Sequence, residues 1–227
     1  MAIIETHDLS KVYDEGPEPV HAVNDVDLKI EEGEFTAIVG PSGSGKTTLL
    51  NMIGGLDKPS SGSIKIDTTE VTDLKKSELI DFRLNNIGFV FQAYNLIPVL
   101  TAGENIEFVM LLQKRPKAER DKRIKELLQE VGLEGKINNR PSELSGGQQQ
   151  RVAVARALAS KPKFVLADEP SANLDSKSTE NLLDMMMTLN KEESMTFIFS
   201  THDQRVIDRA RRVITLVDGK IASDVKQ

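Results

Sequence analysis

Cysteine and tryptophan are both absent from this chain. Without thiols no disulfide can staple the fold and no thiolate metal centre can form, and nothing asks for an oxidising compartment. Aromatic residues make up only 4%, so the core is expected to be mainly aliphatic. No apolar run approaches the ~18–20 residues needed to cross a bilayer. The first eight residues carry no basic segment followed by an apolar one, so a secretory leader is not expected. An excess of positive charge is missing too. The 29 basic residues stand against 35 acidic ones, a net charge of −6, where a general nucleic-acid binder is more often basic. No nucleic-acid partner is therefore expected.

What is present describes a globular protein. The 227 residues suit one large domain, or a domain carrying a subdomain, and 39% hydrophobic with 28% charged residues supply both a core and a wetted surface. Residues 3–9 and 20–30 alternate apolar and polar side chains, as half-buried strands do, and the stretch 14–19 reads as the turn between them. The runs 35–39, 63–66, 87–91, 164–167, 196–200 and 213–217 read as further strands. Those after residue 160 alternate with helical segments, which implies a parallel sheet covered by helices. Asp218 and Gly219 mark a hairpin turn into the last strand. Between about 93 and 160 the pattern turns helical, over 104–113, 116–131 and 148–159. Pro116 is placed in a first helical turn, Gly132 is a stop, and Ile124, Leu127, Leu128 and Val131 form one apolar packing stripe. The fold class is α/β: a mostly parallel core with an antiparallel N-terminal region. Residues 1–92 and 161–227 make the core, and 93–160 are an inserted helical subdomain.

Three short stretches carry chemistry. Gly40, Pro41, Ser42, Gly43, Ser44, Gly45, Lys46 and Thr47 fit G-x-x-x-x-G-K-[ST], and Thr48 follows at the start of a helix. In that strand–loop–helix context, backbone N–H groups and the positive helix end converge on phosphate oxygens. Lys46 is assigned to the β- and γ-phosphates and the Thr47 hydroxyl to Mg²⁺. The apolar run 164–167 ends on Asp168 and Glu169. Lying beside the loop's strand, it would carry Asp168 to the metal and leave Glu169 near the γ-phosphate, to orient or deprotonate a water. Ser145 is a natural N-cap, and Gly146, Gly147 and Gln148 open a helix behind it. That is a second anion cradle in a chain that already has one, and it reads as closing on a neighbour's nucleotide.

With 144–148 resembling the family's signature motif, in register with 40–47 and 164–169, the chain resembles the ATP-binding cassette (ABC) ATPases over nearly its whole length. The resemblance implies more. Tyr13 is similar to the aromatic that stacks on adenine. Gln92 is similar to the glutamine that senses Mg²⁺ and links to the helical subdomain, and His202 to the switch histidine that contacts the γ-phosphate. Residues 171–175 resemble the loop that crosses the dimer interface, although Ser171 and Ala172 stand where relatives more often have Thr-Gly. The implied catalytic set is Glu169, His202, Lys46 and Gln92, and the implied metal set is Thr47, Gln92 and Asp168. ATP and Mg²⁺ are the implied cofactors. A second copy of the chain forms the implied ATP-sandwich partner, and separate transmembrane permease subunits would hold the pair at the inner face of the cell membrane. The stretch 93–100 is apolar enough to cradle a short helix of such a partner. Residues 89–105 resemble most the ATPases of lipoprotein release, macrolide efflux and bacitracin-type peptide resistance. A cell-division ATPase that regulates a membrane partner stays open as the alternative.

Overall fold

The computed structural model describes residues 1–14, 16 and 18–227. The expected turn at 14–19 falls partly on Glu15 and Pro17, which lie outside the described residues. The alternating stretches form β1 (Ala2–Tyr13) and β2 (Val20–Glu31). With β4 (Ser61–Ile66) and β5 (Thr69–Glu70) they build an antiparallel sheet in the order β2-β1-β4-β5. The continuous apolar runs form β3 (Phe35–Val39), β6 (Ile87–Val90), β7 (Phe164–Asp168), β8 (Thr196–Ser200) and β9 (Arg212–Val217). Completed by β10 (Lys220–Lys226), they make a sheet in the order β10-β9-β3-β8-β7-β6. It is parallel except for the β9–β10 hairpin, whose two turn residues, Asp218 and Gly219, both have positive φ.

Strand alternation divides the core. Phe164, Leu166 and Ile198 face the layer shared with the N-terminal sheet and α1 (Lys46–Ile53), where Leu49, Met52 and Ile53 are buried among Ile4, Ile30 and Ile64. Val165, Ala167, Phe197 and Phe199 face the other way, onto α5 (Gly146–Ala159) and α6 (Ser176–Glu193). The core is mainly aliphatic as expected, with Phe164 buried in the first layer and three phenylalanines gathered along one seam of the second. There Phe35 packs at a tilt against Phe199, with ring centroids 4.7 Å apart, and against Phe197 at 5.8 Å.

The helices of 93–160 are α3 (Ala102–Leu112), α4 (Lys117–Glu130) and α5. Thr101 and Glu104 close α3 with a reciprocal capping box. Pro116 sits at the N-cap of α4, one position ahead of the first turn. At the other end, Gly132 takes φ +64°, and Gly132 and Leu133 return N–H bonds to Gln129 and Leu128. Ile124, Leu127, Leu128 and Val131 are all buried, and that cluster runs without a break through α5 into the face of the large sheet.

One expectation is corrected. β7 does not lie beside β3, because β8 pairs with both of them. Parallel strands all end at one edge, so β3, β8 and β7 deliver the glycine-rich loop, residues 201–203 and Asp168–Glu169 to neighbouring places. Ligands of open α/β sheets bind at that carboxyl edge.

Candidate active site

A cavity of about 630 Å³ opens at this edge, lined by Gly40, Pro41, Ser42, Gly43, Gly45, Lys46, Thr47 and Thr48 together with Val20, Ala22, Gln92, Glu169 and His202. Two glycines are demanded by sterics. A β-carbon on Gly40 would come within 2.0 Å of the Leu216 carbonyl, and one on Gly45 within 2.0 Å of the Ala22 carbonyl. Both have positive φ, at +151° and +97°. Gly45 caps α1 with no side chain, so the first N–H groups of that helix have no side-chain cap. Lys46 spans the loop, donating to the carbonyls of Gly40 and Pro41, each at 2.9 Å. Ser44 is the exception within the motif. It is 2% exposed, lies under the loop, and is fastened to the β9–β10 hairpin by the N–H of Gly219.

The Thr47 hydroxyl donates toward Asp168, 3.0 and 3.1 Å from its two carboxylate oxygens. This oxygen-only pair suits a small hard cation that keeps water and phosphate as its other ligands. Among the described residues no three His, Cys, Asp or Glu side chains converge as a protein-only metal cage.

Glu169 turns the chain sharply, with φ +47°, and its N–H donates to the Ser200 carbonyl at 2.8 Å. Its carboxylate is then held from two sides. Nδ1 of His202 lies 2.7 Å from Oε1, and the Thr201 hydroxyl donates to Oε2 at 3.3 Å. The Glu169 side chain is 16% exposed and His202 75%, so the acid lies inside and the imidazole at the mouth. With Glu169 ionised, Nδ1 carries the proton.

Asp203 fastens this corner. It accepts from Ser171 Oγ at 2.8 Å and from the Arg205 guanidinium at 2.7 Å. Arg205, then Ser171, hold its carboxyl down to about 2, against burial that pushes it up. A depressed carboxyl stabilises the folded state fully above its unfolded value and loses that contribution as pH falls through the folded one. Asp203→Asn is therefore expected to lower the melting temperature by a few °C at neutral pH, for about 1–2 kcal/mol lost. In thermal melts the gap to the parent chain should begin to close below about pH 4. A gap independent of pH would reject the carboxylate as its source.

Gln92 reaches the cavity from the end of β6, and its carbonyl accepts from Asn173 Nδ2 at 2.9 Å. The loop behind it is pinned from two helices. Arg156 of α5 donates to the carbonyls of Tyr94 and Asn95. Asn105 of α3, 1% exposed, accepts from the Ile97 N–H and donates to the carbonyls of Ile97, Leu100 and Thr101.

Seven of the anticipated residues lie outside the cavity lining: Ser44 and Asp168, already placed, Tyr13, and the four residues Ser145, Gly146, Gly147 and Gln148. Tyr13 is 38% exposed and its hydroxyl is bound by Asp57. Ser145, Gly146, Gly147 and Gln148 open α5 at another place on the surface. Ser145 Oγ accepts from the Gln148 N–H at 3.3 Å, while Gln148 Oε1 accepts from the Ser145 N–H at 3.0 Å. A β-carbon on Gly147 would meet Ser178 Oγ at 2.8 Å, so this glycine is required by α6 of the same chain. Val20, Ala22, Ser171, Asn173 and Asp203 act at the site without having been anticipated as contacts. Only the last three carried a signal, standing within or beside motifs already read.

Residues 23–172 match the family described as ABC transporter. The macrolide export ATP-binding/permease protein MacB of Mannheimia succiniciproducens is 46% identical over the whole chain, which spans about a third of that relative's length, 35%. The lipoprotein-releasing system ATP-binding protein LolD of Idiomarina loihiensis is 42% identical, with 96% of each chain covered. The ATP-binding cassette MJ0796 of Methanocaldococcus jannaschii, solved as a dimer in a post-hydrolysis state with ADP and Pi, superimposes with a TM-score of 0.90 at 45% identity over 98% of both chains.

Proposed function

The chain belongs to the ABC transporter family as its ATP-hydrolysing part, and on that premise we propose that it works as a two-fold pair driving a membrane-embedded partner. The observation that carries this reading is the separation within one chain. Lys46, Glu169 and His202 share a cavity, whereas the capped start of α5 lies outside it. A second copy related by a two-fold axis places its α5 start against the first copy's nucleotide, and the exchange is reciprocal.

Within each site Lys46 and the N–H groups of the loop hold the β- and γ-phosphates. Thr47 and Asp168, with Gln92, are the residues that would hold magnesium, which when bound neutralises phosphate charge in the transition state. Glu169 positions the attacking water and takes its proton, while His202 and Thr201 keep that carboxylate aimed. Loss of the γ-phosphate removes the charge both copies share, and the pair opens. Asn173, bonded to the Gln92 carbonyl, ties the interface loop to the loop that follows β6. Residues 93–160, treated as a mobile arm, pass this change outward.

The partner's place is supported by a groove of about 440 Å³ between α2 (Lys76–Asn86) and α5, lined by Phe89, Phe91, Val109 and Arg156 and edged by Leu56 and Ile80. Leu56 is 45% exposed and Ile80 48%. The names of the relatives mention macrolide export, a permease and lipoprotein release, and on that support the driven process is export of lipophilic compounds or release of lipoproteins, with separate permease subunits holding the pair at the inner face of the membrane. No described helix is long and apolar enough to cross a membrane itself. A photo-crosslinker at Ile80 is expected to capture a polypeptide with membrane spans from native membranes, and one at Ser223 on β10 is not. Equal capture at both positions, or none at Ile80, would reject the groove as the coupling surface.

A further inference from the structure

Tyr13 ends β1 directly across from Val20, a residue of the cavity wall. An exposed tyrosine at such a rim would normally sample several rotamers. This one is held at two points. Its hydroxyl donates to Asp57 Oδ2 at 2.6 Å, and Lys11 Nζ stands over the ring, 4.9 Å from its centroid. The two holders are themselves joined, with Lys11 donating to Asp57 Oδ1 at 2.6 Å and to the Lys58 carbonyl at 2.7 Å. Their side chains are 13% and 27% exposed, so solvent screens the pair only in part. Asp57 is not on a free loop either. Its N–H and that of Leu56 both donate to the Asn51 carbonyl, which fixes it to the end of α1, the helix whose start cradles phosphate.

We propose that Asp57, assisted by Lys11, is a positioning residue that presets the Tyr13 ring as the platform for the adenine base. This rests on the reading that Tyr13 stacks on the base. A ring ordered in advance loses no rotamer freedom when the base arrives, so the gain appears as affinity. Lys11 covers one face of the ring and leaves the other to the base. Because the stack is equal in ground and transition states, it acts on KM rather than kcat.

The test compares ADP with inorganic pyrophosphate, which has no base, by calorimetry on the parent chain, Tyr13→Ala, Asp57→Ala and Asp57→Asn. Asp57→Ala is expected to weaken ADP about tenfold, near the lower end of what a base–aromatic stack is worth, and to leave pyrophosphate within about twofold. KM for ATP should rise with it while kcat holds within about twofold. Asp57→Asn, whose amide oxygen still accepts from the phenol, should recover part of the affinity. A spectroscopic readout is independent of binding. The chain has two tyrosines and no tryptophan, so in a Tyr94→Phe background the phenol absorbance reports Tyr13 alone. Burial, then the bond to Asp57, pushes that phenol above its ordinary range, and Asp57→Ala should bring its titration down. If Tyr13→Ala weakens ADP but Asp57→Ala does not, the positioning role falls and the stacking reading stands. If neither weakens ADP, both fall. If Asp57→Ala weakens pyrophosphate as much as ADP, the residue acts through α1 on the phosphate loop and the proposal is overturned.

Discussion

Glu169→Gln is expected to slow ATP hydrolysis about a thousandfold while leaving ATP binding in place, and to double the molar mass seen by light scattering when ATP is present. The magnitude is that of losing a positioned general base, roughly 10²–10⁴. The amide keeps the size of the carboxylate and can still accept from Thr201, so the corner built by β7 and β8 stays closed. It cannot take a proton from water, and it no longer offers His202 an anion at 2.7 Å. With cleavage blocked, the triphosphate goes on bridging two surfaces, and a transient pair becomes a lasting one. A 25.1 kDa chain should then scatter as a particle of twice that mass with ATP, and as a single chain without it. An unchanged mass under saturating ATP would remove the sandwich from the mechanism, and normal turnover would remove Glu169 as the base.

Much of this candidate site is legible in the sequence because its parts are contiguous there. The glycine-rich loop, the strand ending in Asp168 and Glu169, and the Ser145 cap each need only local spacing to be recognised. The hairpin at Asp218 and Gly219 and the buried stripe of α4 are readable for the same reason. Strand order is not. Periodicity shows that 196–200 is a strand but carries no information on whether it inserts between β3 and β7. That insertion is what brings Thr201 and His202 onto Glu169. The partners of Tyr13 are hidden too, since Lys11, Tyr13 and Asp57 meet only once the loop after α1 is drawn alongside β1, where Ser60 bonds to Ser10 and Val12. Ser44 shows the opposite limit. The motif presents it as one of a row of phosphate contacts, yet the packing of β9 and β10 draws it beneath the loop.

Ser145→Arg is expected to leave ATP binding near the parent value and to abolish turnover, because it alters a surface that the chain's own cavity does not include. Losing the hydroxyl that accepts from Gln148 costs about 1 kcal/mol, which a chain of this size tolerates. Ser145→Ala carries the same loss of the cap without the bulk, so it separates the two effects and should retain measurable activity. The arginine fills the slot at the start of α5 where a mate's phosphate has to approach the N–H groups of Gly146 and Gly147. Lys46→Ala breaks the other half of the same composite site and should also be inactive. Mixed together, the two inactive chains form a heterodimer in which one site is doubly damaged and the other has its Lys46 and its Ser145 both intact. With random pairing and independent sites, the equimolar mixture should regain about a quarter of the parent rate per chain. A site contained within one chain cannot be restored by mixing two broken ones. Phosphate release that stays at background in the mixture, under ATP concentrations that saturate the parent, would therefore place the whole reaction inside a single copy.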